Sequence, residues 1–518
     1  MKSIQVFYQF WYRILTYLSF SSKHKQLPLP LNGTDFFAFP FILPKARYYH
    51  PNKFVFLNLS KEFDQNINWE ENGYGKLWNY NLQYLDYINQ YNIDQKTAIA
   101  LIHSLSKEIY AGRLRNEPYP ASLRILNLIK FIHRTNEKNG MVLSFLNNQI
   151  TFLRKNKEYH ILGNHLLENA FALTAAAMVC GSHKLFKTAS RLLIAELNEQ
   201  ILPDGAHFER SVMYHAILFE RLLDLINMCQ KIHFDESDKL KLELLKFAEK
   251  MRGFLPQICF SNLDMPMFND ASNGISSSMN ELIQYASNLG IKPMPIQLKE
   301  CGYRKLLSDN YELIIDVEGI APDYQPGHAH ADSTSFICYV KQKPFLVETG
   351  TSTYQADKRR AVERASSSHN VVVVNQINSA DVWGAFRVGK RPKVKILKDE
   401  SNEIIVTHNA YSDQGVGSLK RSINLGQNLT ITDEVKANRK LDSCIAYFHF
   451  HPEVQINLNE KEALIYSEIA NLKFEGALKI ELNSYDFAEG FNKTKLAMRA
   501  AVHFDNLLLT SISINHEQ

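Results

Sequence analysis

The sequence has no CxxC pair and no clustered cysteines. Its six, Cys180, Cys229, Cys259, Cys301, Cys338 and Cys444, are scattered along 518 residues. That scatter argues against a zinc ribbon and a disulfide scaffold, which need close or repeated spacings. Cys338, inside the apolar run Ser335-Phe-Ile-Cys-Tyr-Val340, reads as a buried free thiol. The chain also lacks a strong charge of either sign. A net charge of +4 excludes a basic nucleic-acid footprint, while a local basic cleft for an anionic substrate remains compatible with it. Low-complexity tracts and repeats are missing, and 22% charged against 45% hydrophobic residues describes a globular chain rather than a disordered one. No apolar run reaches transmembrane length. The aromatic-rich opening, Met1 to Phe20, is interrupted by Gln5, Gln9 and Arg13 and lacks a small-residue cleavage site, so it makes a poor signal peptide. It reads as an amphipathic helix packed on the body of the protein, with contact to a membrane surface as the alternative. A cytoplasmic location is favoured over a periplasmic or membrane-associated one.

What the chain does have is aromatic residues and two successive periodicities. Its 24 Tyr and 31 Phe suit either sugar-binding clefts or a large core. The length calls for two or three domains. Up to about residue 304 the pattern is helical. Gln95–Ala111, Ala121–Thr135, Asn164–Cys180, Leu185–Glu199, Arg210–Lys231 and Asp238–Phe254 carry apolar residues at three- and four-residue spacing. Short Gly- or Pro-containing breaks separate some of them, which predicts antiparallel helix pairs in a layered or toroidal array. From residue 305 the period becomes two and β-branched residues dominate, as in Tyr311–Ile315, Val371–Val374, Val394–Ile396, Leu429–Ile431 and Leu472–Phe474. Turn signals at Gly389-Lys390, Gly426-Gln427 and Asp505-Asn506 complete the pattern of an antiparallel sandwich. The expected organisation is an extension over 1–45, a helical domain over 46–304 and a β domain over 305–518.

Polar residues capable of chemistry gather in a few places. Gly163-Asn164-His165-Leu-Leu-Glu168-Asn169 opens a helix. There Asn164 reads as an N-cap or a site residue, and Glu168 shares a helical face with His165 and could orient its imidazole. Asp204-Gly205-Ala-His207-Phe-Glu209-Arg210-Ser-Val-Met-Tyr214-His215 concentrates ionisable groups before an apolar helix. Gln325-Pro-Gly-His328-Ala-His330-Ala-Asp332 contains an H-x-H pair. On an extended segment its two side chains point the same way, one towards a metal and the other into a cleft. Arg364-Ala-Ser-Ser-Ser-His369-Asn370 leads into Val371–Val374. Each of these, taken singly, reads equally well as structure.

Together they resemble the heparinase II/III family. His328-Ala-His330-Ala-Asp332, Phe345-Leu-Val-Glu348-Thr-Gly350-Thr351 and Ser368-His369-Asn370-Val-Val-Val are similar to its C-terminal signatures. Asn164-His165-x-x-Glu168-Asn169 and His207-Phe-Glu209-Arg210-x-x-x-Tyr214-His215 are similar to its helical-domain signatures. The resemblance spans roughly residues 75 to 395. It implies an incomplete (α/α) toroid followed by an antiparallel β-sandwich, with the active cleft between them. It also implies a lyase acting on an acidic, uronate-containing polysaccharide such as heparan sulfate, heparin or alginate. By the same resemblance Asn164 and His165 contact the uronate carboxylate, Tyr214 is the general acid and a candidate base, and His328 is the partner base. His330, Glu348 and His369 hold a structural divalent metal, zinc by preference. The family usually places Asp where this chain has Glu348, and the longer arm moves the carboxylate by about a bond length. Glu168, Arg124, His207 and Arg210 are further candidates for substrate contact, Arg124 reading equally as a buttress between helices. The competing expectations are an inverting glycoside hydrolase, using carboxylates among Glu168, Glu209 and Asp270, and a non-catalytic polysaccharide-binding or assembly protein.

Overall fold

A computed structural model describes residues 2–18, 33–233 and 236–515. Their contacts divide into two compact units that interleave along the chain. The first comprises Met1–Ile201, Ala216–Arg252 and Asn280–Met294; the second comprises Leu202–His215, Gly253–Met279 and Pro295–Gln518. The change of periodicity at 305 is therefore a change of secondary structure, with the helix Met279–Asn288 ending before it and the first sandwich strand starting at Tyr303. The compact units follow a different line, because two earlier segments, 202–215 and 253–279, group with the strands.

The first unit is an incomplete (α/α) toroid. Its helices start and stop where local chemistry allows. Asp94 caps Gln95–Tyr110 by accepting from Thr97 N, Asn139 caps Gly140–Lys155 by accepting from Met141 N, and Pro118 opens Pro118–Thr135. Asn136 closes that last helix in the left-handed region, φ 54°. Gly163–Val179 is buried around almost its whole circumference, packed against Pro118–Thr135 and His183–Gln200. That explains its weak amphipathicity, since a central helix has no wet side. A small sheet of Tyr48–Tyr49, Lys53–Phe56 and Leu59–Glu62 was not visible in the sequence pattern. Trp78, fully buried, packs edge-on against Phe56 of that sheet at 5.2 Å. The N-terminal segment forms the helix Ser3–Leu18, which packs on this unit as the sequence suggests.

The second unit is an antiparallel β-sandwich. Tyr303–Leu307, Tyr311–Asp316, Phe336–Val340 and Lys343–Leu346 form one sheet, a simple meander. The larger sheet runs Val394–Asp399, Glu403–His408, Val416–Leu425, Leu429–Ala437, Lys493–Ile514, Ala470–Gly490, Leu464–Ser467 and Ile456–Asn459. Cys444–His449 pairs with both Lys493–Ile514 and Val372–Val374. Residues of both sheets share one apolar core, including Leu313, Ile315, Phe336, Val406, Ile431, Phe448 and Val502. Val416–Leu425 alternates buried and wet positions, whereas Tyr311–Asp316 and Phe336–Val340 are buried throughout, as expected where a strand is covered on both faces. The described cysteines are all free and buried.

Candidate active site

The second unit gathers residues from separate stretches of chain around one carboxylate. Asp270 is fully buried and accepts from His328 Nδ1 at 2.8 Å, His330 Nε2 at 2.9 Å and Arg360 Nη2 at 2.7 Å. Burial opposes its ionisation, but Arg360 and the two histidines outweigh burial and hold it well below the usual carboxylate range. The H-x-H pair thus does point one way, with both rings on opposite oxygens of Asp270. The segment is a turn rather than a strand, and the Asp270 amide donates to the His328 carbonyl at 3.1 Å. Burial pushes the His330 imidazole down to about 3, so it is neutral.

Tyr214 lies in the first turn of the helix Val212–Cys229, the turn that groups with this unit. Its ring stands 4.4 Å from that of His328, and its hydroxyl is 3.2 Å from that of Tyr354. Tyr354 in turn lies under the Arg360 guanidinium, 5.1 Å from its ring centroid. His328 Nε2 is 3.7 Å from Glu209, and the His328 side chain keeps 16% of its surface exposed. The loops are tied together from below: Ser211 donates to the Asp270 carbonyl at 2.8 Å, and Asn269 bonds the Arg210 carbonyl and the Tyr303 hydroxyl. Arg210 and Asn269 both adopt φ of 55°, a costly geometry for these residues that surrounding contacts sustain.

In the first unit, the Asn164-His165 motif is organised by a residue that the sequence reading missed. Glu158, in the turn before the helix, contacts His165 Nδ1 at 3.0 Å and accepts from Asn169 Nδ2 at 3.0 Å. The Glu158 amide donates to Asn169 Oδ1 at 2.8 Å, and Asn169 Nδ2 also donates to Ser122. The expectation that Glu168 orients His165 is corrected. Glu168 is fully buried and faces Arg221 at 3.4 Å, and burial raises its pKa despite that arginine. Asn164 is not an N-cap, because the helix begins at Gly163 with Leu162 in the capping position. His165 stays partly exposed, its ring 4.5 Å from that of Tyr119.

The three other candidates for substrate contact are buried or held by protein partners. Arg124 is sealed from solvent and donates to Gln149, the Gln83 carbonyl and Asn116; it is the buttress. Arg210 is committed to Glu318 at 2.7 Å and the Gly319 carbonyl at 2.9 Å. His207 is buried, and burial lowers it to about 4.

Comparison with known proteins settles the family. The model named heparinase II/III N-terminus matches residues 68–293, and heparinase II/III-like, C-terminal matches 291–511. The chain belongs to the heparinase II/III family. Its members are polysaccharide lyases, carbon–oxygen lyases, and this chain is one of them. Among solved structures, heparinase III superposes with a TM-score of 0.70 at 16% identity, covering 99% of this chain and 92% of that one. A heparan sulfate lyase HepC mutant from Pedobacter heparinus gives 0.60 at 16% identity, covering 89% and 80%. At such identities the superpositions speak for the fold. No curated protein matches the sequence.

The family's metal ligands can be tested against the donors present. His369 Nδ1 contacts Glu348 Oε2, Ser335 donates to Glu348 Oε1, and the His330 and His369 rings lie 5.3 Å apart. His330 Nδ1 and His369 Nε2 are buried without a hydrogen-bond partner. Asp270 fixes the other nitrogen of His330, the arrangement by which a carboxylate readies an imidazole for a metal. The donor chemistry therefore suits a divalent ion. As the side chains stand, no group of three or more His, Cys, Asp or Glu among the described residues is drawn together as an ion site.

Proposed function

We propose that this lyase cleaves a uronate-containing acidic polysaccharide by β-elimination. The observation carrying the reading is the Tyr214–His328 pair, with ring centroids 4.4 Å apart and His328 held by Asp270. In the reaction a base, His328 or Tyr214, takes the C5 proton of the uronate. The electron pair left on C5 is delocalised into the carboxylate, then forms the C4–C5 double bond as the C4–O bond breaks. Tyr214 delivers a proton to the departing oxygen. The enolate-like charge needs donors aimed at the carboxylate, the role assigned by motif to Asn164 and His165. Glu158 holds His165 through Nδ1, and Asp270 holds His328 through Nδ1.

The hydrolase alternative needs two accessible carboxylates. Glu168, Glu209 and Asp270 are each buried, and Asp270 is already occupied by Arg360 and two histidines. Replacing Tyr214 by Phe removes one hydroxyl, keeps the ring and should lower turnover by roughly 10²–10⁴-fold with an unchanged melting temperature. His328→Ala and Asn164→Ala should also slow turnover, and all products should remain unsaturated. Near-normal elimination by Tyr214→Phe would remove the proposed acid.

The proposal extends to a divalent ion, zinc by preference, held by His330, Glu348 and His369. It would supply a cross-link between segments 330–348 and 369; no step of the elimination runs through it. Elemental analysis should find about one divalent ion per chain, lost in His330→Ala, and chelation should lower the melting temperature. A metal-free preparation whose melting temperature ignores both zinc and chelator would end this part of the reading.

A further inference from the structure

The helix Ser3–Leu18 faces the protein with the opposite side from an ordinary surface helix. Such helices bury an apolar stripe and leave the polar side wet. Here the inward contacts are polar or hydroxylated. Gln5 is buried and donates to the Ile161 carbonyl at 2.9 Å, Tyr8 stacks on Tyr159 at 4.6 Å, and the Tyr12 hydroxyl donates to the Lys157 carbonyl. The apolar residues point away from the protein. Ile4, Val6, Phe7, Phe10 and Trp11 are 40%, 38%, 59%, 61% and 43% exposed. At about 100° per residue these five fall in one arc, and Gln5, Tyr8 and Tyr12 in the complementary one. Phe7 and Trp11 lie nearly parallel, 6.1 Å apart with an interplanar angle of 10°, so they form one continuous apolar plate.

A plate of this kind on a protein surface marks a contact surface, and the charge pattern indicates what it contacts. Between Met1 and Thr34 the sequence holds Lys2, Arg13, Lys23 and Lys25, and neither Asp nor Glu. The rest of the chain is nearly balanced, so this bias is local. Exposed Phe and Trp on a helix without acidic residues are what enters the boundary between lipid headgroups and acyl chains, with lysine and arginine drawn to anionic headgroups. No described helix is long and apolar enough to cross a membrane. We propose that the helix Ser3–Leu18 docks the protein on an anionic lipid surface through Phe7, Phe10 and Trp11. This inference stands independently of the proposed reaction.

The test is flotation of the full chain with vesicles of phosphatidylcholine containing phosphatidylglycerol. The protein should float with them, and binding should fall by about tenfold or more on pure phosphatidylcholine and at raised salt. Phe7→Ser, Phe10→Ser and Trp11→Ser combined should abolish flotation. The melting temperature should hold, because these side chains face away from the body. Flotation unaffected by the triple substitution, or a parent protein that stays with the soluble fraction, would overturn the proposal. A dimer dissolved by the same triple substitution, with no flotation, would assign the plate to a second copy of the chain and overturn it equally.

Discussion

At the scale of single residues, burial decides which polar groups are chemistry and which are structure. His408 illustrates the structural kind. It is buried in Glu403–His408, its Nδ1 accepting from the Ala410 amide at 3.3 Å, and burial lowers its pKa to about 4. The unfolded chain titrates a histidine near 6.5. A folded-state value below that means the unfolded state binds the proton more tightly. The neutral His408 contribution is therefore complete above pH 6.5 and is lost as pH falls to 4, a loss of roughly 3 kcal/mol. Urea unfolding should show this acid-side slope, and His408→Asn should flatten it. Equal slopes for the two proteins would refute the assignment. The same filter explains what the sequence could and could not reveal at the site. The motifs named Tyr214 and His328, which pair, and His165, which stays open. They did not identify Glu158, Tyr354 or Arg360, because those residues join the network through tertiary contacts from segments without a motif. Asp270 was visible as a candidate carboxylate but not as the centre of the network, and the roles of Arg124 and Arg210 were decided by partners that no motif names.

Among the elements, helices were the most legible, because an apolar stripe recurs over many turns. The strands were legible in kind but not in length. Asp505-Asn506, read as a turn, lies inside the 22-residue strand Lys493–Ile514. The turn chemistry is absorbed by an irregularity in the pairing, where Glu475 faces Leu509 and Ala477 faces Phe504, so the strand bulges and continues. Gly476 makes this bend feasible, with φ of 91° and no room for a Cβ beside the Leu507 carbonyl oxygen. Gly476→Ala should then cost about 1–3 kcal/mol, read as a lower denaturation midpoint. A substitution costing less than about 0.5 kcal/mol would show that the bulge tolerates a side chain.

For the whole molecule, the two units differ in how much of their role could be read ahead of the structure. A helical array and a sandwich follow from two periodicities, and the toroid and the family from motifs arranged in the same order along both. The interleaving of the units was not legible, because segments 202–215 and 253–279 contain or adjoin helix ends in sequence yet cluster with the strands. It is that clustering which brings Tyr214 and Asp270 to His328. The claim built on it is elimination from an acidic polymer, and the product itself records the reaction. Purified protein should be incubated with a panel of uronate polysaccharides, sulfated and unsulfated, while ultraviolet absorbance follows the new C4–C5 double bond. The account predicts rising absorbance with at least one polymer, together with chain ends that carry the unsaturated uronate. Depolymerisation that yields only saturated ends would contradict it.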